Sequence, residues 1–79
     1  MNAEAVRILV ENYTADQLIE AEQELIRGEE PSILVKGDDA GEKLTHLLAA
    51  VHVLEQMKFE GVEFSTALRQ YILQVRESI

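Results

Sequence analysis

Apolar residues recur along this chain three and four positions apart, in four separate stretches. That spacing gathers side chains on one face of an α-helix. The richest stretch is Glu42 to Met57, where Leu44, Leu47, Leu48, Val51 and Leu54 make one stripe. Ala50, Val53 and Met57 widen it to an arc of roughly 220°, against about 100° or somewhat more for an ordinary surface helix. Thr45, His52 and Gln56, with Ala49 among them, are left to face water. A helix so apolar needs cover on two sides, so the pattern predicts a central third helix over 40–59. Asp39 and Glu42 form its capping pair and Gly61 ends it.

The flanking elements are shorter. A first helix over 2–12 turns Ala5, Val6, Leu9, Val10 and Tyr13 inward and leaves Ile8 off that face. Thr14 and Gln17 make a capping box for a second helix over 15–27, which Gly28 stops. Its inner face reads Leu18, Ile19, Ala21, Leu25 and Ile26. A fourth helix over 65–77, capped by Ser65, turns Ala67, Leu68, Tyr71, Ile72 and Val75 inward, while Leu73 points away between Arg69 and Arg76. Between the second and third helices the period breaks. Ser32 to Lys36, bounded by Pro31 and Gly37, is strand-like but has no partner strand in the chain, so an apolar loop is expected there. The predicted fold is all-α: one small four-helix domain, residues 1–79, packed around its third helix.

Two features of the second helix depart from this scheme. Asp16, Glu20 and Glu24 stand at i, i+4 and i+8, so like charges stack on one face at a small cost in helix stability. That makes them candidate partner-binding residues. Glu22 falls within the apolar arc, which makes it a candidate perturbed carboxylate, desolvated among apolar neighbours.

The charge sharpens the picture. Of a net −8, all resides in residues 1–42, with eleven Asp/Glu against three Lys/Arg, while residues 43–79 hold four of each sign. Such a chain repels phosphate backbones, so direct nucleic-acid binding is not expected. It stays dispersed, and it offers a face to a basic protein. Cysteine is absent, which excludes disulfides, thiolate metal sites and a cysteine nucleophile, and fits a cytoplasmic setting. The longest apolar run, Leu47 to Val51, is far too short for a membrane span. Glu4, Arg7 and Glu11 interrupt the N-terminal stretch too soon for a signal peptide.

Chemistry-bearing constellations are sparse. His46 and His52 are six apart, about 120° around a helix, and cannot share a metal unaided. The segment Gly37-Asp38-Asp39-Ala40-Gly41-Glu42-Lys43 has the wrong glycine spacing for a phosphate loop, and its two aspartates would repel phosphate. Neither metal nor cofactor is expected. The expected function is that of a non-enzymatic interaction or regulatory protein with an acidic face for a basic partner. A core this small is commonly reinforced by oligomerisation, so a homodimer is expected, with Val53, Met57 and Leu73 at the contact and His46 at its edge. The alternatives are a small metal-binding or proton-handling enzyme domain using Glu22 and His46, and an acidic nucleic-acid mimic.

Overall fold

The structure, a computed structural model, describes residues 1–77, the Glu77 side chain excepted. Four helices account for its regular structure: α1 (Ala3–Asn12), α2 (Ala15–Ile26), α3 (Ala40–Glu60) and α4 (Phe64–Glu77). The starts of the first three are set by side-chain caps. Asn2 Oδ1 accepts the amides of Glu4 and Ala5 at 2.9 and 3.3 Å. Thr14 and Gln17 exchange reciprocal bonds, with the Thr14 amide on Gln17 Oε1 at 2.9 Å and the Gln17 amide on Thr14 Oγ1 at 3.2 Å. Asp39 Oδ1 takes the Glu42 amide at 2.8 Å. Each cap satisfies backbone donors that the first helical turn leaves without partners. At its far end α3 stops in Gly61, whose φ of 67° is the left-handed conformation that glycine adopts without a steric cost.

The fourth start differs from expectation. Ser65 lies inside α4 and does not cap it. The helix begins at Phe64, and the Glu63 carbonyl accepts the Ala67 amide at 3.0 Å. Phe64 packs against the core and lies beneath the Arg7 guanidinium, 4.5 Å from its ring centroid, so tertiary contact fixes this start.

The third helix is indeed central. It packs against α1, α2 and α4, whereas the outer helices barely touch one another. Its buried side is not the side that the leucines mark. His46, Leu47, Ala49, Ala50 and Val53 are buried, while Leu48 keeps 43 % of its surface exposed. Ala49, expected in water, is fully covered. The reason is steric: two adjacent alanines let neighbouring backbones approach closely, and the helix turns that side inward. His52 and Gln56 are partly covered by α4. The His52 ring lies 5.0 Å from that of Tyr71, and Gln56 Nε2 donates to Gln70 Oε1 at 2.9 Å.

Because each outer helix packs chiefly against α3, each buries only a narrow stripe. On α2 that stripe is Leu18 and Ala21, with Leu25 partly covered, and Ile19 and Ile26 are left outside. On α4 it is Ala67 and Leu68 with Tyr71, and Ile72 and Val75 stay at the surface.

The segment between α2 and α3 has no strand; it folds down as an apolar plug. The Gly28 amide bonds the Leu25 carbonyl and the Glu29 amide the Glu24 carbonyl, the paired bonds of a Schellman turn. Ile33 and Val35 then turn into the core and Leu34 turns out, 77 % exposed. The alternation that looked strand-like therefore fills a gap beside α3. Further along, Gly37 lies so close to α3 that a Cβ there would fall 2.9 Å from the Lys43 backbone nitrogen, which only glycine allows.

Candidate functional site

His46 shows the most specific polar geometry in the fold. It is 1 % exposed, the one polar side chain among the described buried residues. Its Nε2 lies 3.0 Å from the Asn2 backbone nitrogen and its Nδ1 lies 2.7 Å from the Lys36 carbonyl oxygen. A backbone amide can only donate and a carbonyl can only accept. The ring must therefore be neutral, with its proton on Nδ1 and a bare Nε2. One imidazole on α3 thus holds both the approach to α1 and the end of the plug. With both nitrogens committed, it has no lone pair left for a metal. Glu22 is not among its partners, so the Glu22–His46 pairing considered from sequence is not formed.

Glu22 sits at the rim of the α2 stripe, half-exposed. Among the described residues no buried side-chain oxygen lacks a partner, and Glu22 makes no hydrogen bond, so its carboxylate reaches solvent. Its odd place in the sequence pattern follows from the narrowness of the buried stripe.

The acidic ridge is divided in its duties. Glu24 Oε1 accepts both the Ser32 amide, at 2.8 Å, and the Ser32 hydroxyl, at 3.0 Å, and so ties the plug to α2. Asp16 and Glu20 are exposed and form no salt bridge among the described residues. They share the outer side of α2 with Ile19, 37 % exposed, and Ile26, 65 % exposed. At the helix end Arg27 forks the Glu29 carboxylate with two bonds of 3.2 Å. Those bonds, with the opposite charge beside them, hold Glu29 below the ordinary carboxylate range and raise Arg27.

The surface expected for a second copy has to be redrawn. Val53 is wholly buried and His46 nearly so, both within this chain's own core, where neither offers surface to a partner. Three helices and the plug cover the part of the α3 arc that holds Leu47, Ala50 and Val53, whereas Leu48 stays exposed. Met57 is half-buried against the core, and Leu73 is exposed.

Leu73 lies on a surface that the helical pattern only hinted at. Between α1 and α4 runs an open cleft of about 470 Å³. Phe64, Leu68, Ile72 and Leu73 line it, and Arg7, Arg69 and Arg76 stand around it. Arg7 is engaged with Glu4 and Glu11, at 4.0 and 3.7 Å. Arg69 and Arg76 form no salt bridge among the described residues. The sequence signal was Leu73 flanked by two arginines opposite the inner stripe of α4. The contribution of Arg7 and Phe64 required the tertiary arrangement.

No group of three metal-ligating side chains gathers among the described residues, and no described helix is long and apolar enough to cross a membrane. No curated protein and no solved structure matches the chain. One family does: the family of unknown function DUF6952 matches residues 1–79, the whole chain, and this protein is a member of it.

Proposed function

We propose that the domain is a non-enzymatic interaction or regulatory protein that acts as a homodimer and presents the outer side of α2 to a basic protein surface. The observation that carries this reading is the composition of that side. Asp16 and Glu20, free of salt bridges among the described residues, adjoin the exposed Ile19 and Ile26. Apolar side chains bordered by unpaired charge combine what an interface needs: area to remove from water, and a field that selects the partner's sign. The third acidic residue, Glu24, has a structural duty and is set aside from the recognition surface. The reading also places the protein in a cytoplasmic compartment, in keeping with its lack of cysteine.

The test compares the wild-type chain with Asp16→Asn/Glu20→Gln as immobilised baits. A binding protein retained by the wild type, released by rising salt and lost by the variant supports the reading. Equal retention by both baits would sink it, because the ridge would then be only a solvated face.

A further inference from the structure

We infer that the basic partner of the acidic α2 face is a second copy of this chain, and that it receives α2 in the cleft between α1 and α4. This inference rests on the reading of α2 as a recognition face and names its partner.

The charges argue for it first. The chain carries fifteen carboxylates and seven Lys/Arg. Yet Arg69 and Arg76 stand beside exposed apolar surface with no carboxylate paired to them among the described residues. A guanidinium next to a partly dehydrated surface is best matched by a carboxylate. Four carboxylates of the chain's own surplus, with no Lys or Arg beside them in the helix, lie on α2. There Asp16 and Glu20 are unpaired in the same way, and they too border exposed apolar residues, Ile19 and Ile26. Each surface has what the other lacks.

The dimensions agree. Twelve residues make α2 about 18 Å long, and the α4 wall from Phe64 to Arg76 runs about 20 Å. Ile19 and Ile26, two turns apart on one side of α2, would lie on Leu68, Ile72 and Leu73. The alternative self-association, cleft against cleft, would set Arg69 and Arg76 against their own copies and is disfavoured by those charges. When two copies each offer α2 to the other's cleft, the two contacts are related by a two-fold axis and the assembly closes as a dimer. A specific dimer needs at least about 1,000 Å² of total burial. That is about 500 Å² per copy, against a protomer surface of 5119 Å².

The experiment is a charge exchange read by sedimentation equilibrium from micromolar to millimolar protein, with circular dichroism to confirm that each variant keeps its helices. The substituted positions are all exposed. Wild-type protein is expected to be a dimer that weakens as salt rises. Arg69→Glu/Arg76→Glu and Asp16→Arg/Glu20→Arg are each expected to raise the dissociation constant on the order of 100-fold. Their equimolar mixture is expected to restore a dimer, now a heterodimer, because each variant's α2 then matches the other's cleft. A wild-type monomer at millimolar concentration overturns the inference, as does a mixture that stays monomeric. A dimer lost on reversing α2 but indifferent to reversing the cleft overturns the cleft as the seat and leaves the acidic-face reading standing. A dimer indifferent to both reversals overturns both.

Discussion

His46 illustrates how much one side chain can decide in a small core. Its two nitrogens are bonded to backbone groups from two segments that no other polar side chain joins to α3 among the described hydrogen bonds. The expected outcome of ¹⁵N NMR on the folded protein is a neutral ring with its proton on Nδ1, the opposite of the tautomer usual for free histidine. A proton on Nε2 would contradict the geometry. His46→Phe keeps the volume but strands the Asn2 amide and the Lys36 carbonyl. It is expected to lower stability by about 2–4 kcal/mol in urea unfolding. The Arg27–Glu29 fork contrasts with it. The folded-state value of Glu29 is depressed by its bonds to Arg27, so any stabilisation is present above the ordinary carboxylate range and lost as pH falls through the lowered value. Both side chains are exposed, so Glu29→Gln is expected to leave the acid-unfolding midpoint unchanged within error. A clear shift of that midpoint would show the fork to be stronger than solvation permits.

At the scale of elements, the face that α3 buries yields a paired prediction. Leu48→Gln, at a position that apolar patterning assigns to the core, is expected to change stability by no more than about 0.5 kcal/mol. Ala49→Leu, at a position assigned to water, is expected to cost about 1–3 kcal/mol or more through overpacking. The opposite order in thermal or chemical unfolding would restore the leucine stripe as the inner face. The pair also marks where the sequence was legible. All four helices could be read from periodicity, and the starts of α2 and α3 from their capping residues, because those signals are local. The rotation of α3 could not be read, because small residues set how closely helices approach while large ones dominate the pattern. Val53 and His46, expected at a dimer contact, therefore serve the protomer's own core. The fate of Ile33 and Val35 hinged on a gap beside α3 that exists only once the helices are assembled. The acidic side of α2 was visible in the spacing of Asp16 and Glu20. The basic cleft was not, since Arg7 and Arg69 come from opposite ends of the chain.

At the scale of the whole molecule, the arrangement of one helix contacting three that barely meet one another has a consequence for how the fold opens. Neighbours that meet so little lend one another little support, so each outer helix should detach largely on its own while α3 is released only with everything else. Native-state hydrogen exchange would then resolve a hierarchy of openings instead of a single one. Amides of Leu47 to Val53 should exchange at the rate of global unfolding. Those of Ile72 to Arg76, whose side chains stay at the surface, should exchange soonest among the helical segments. Leu68→Ala should speed exchange across α4 while leaving α1 and α2 nearly unchanged, and Leu47→Ala should speed it in all four helices. If Leu68→Ala accelerated α1 and α2 as strongly as α4, the domain would be opening as one indivisible unit. If instead α4 opens alone, the cleft that it forms with α1 exists only for part of the time, and a ligand seated there would appear in exchange experiments as a slowing confined to one wall.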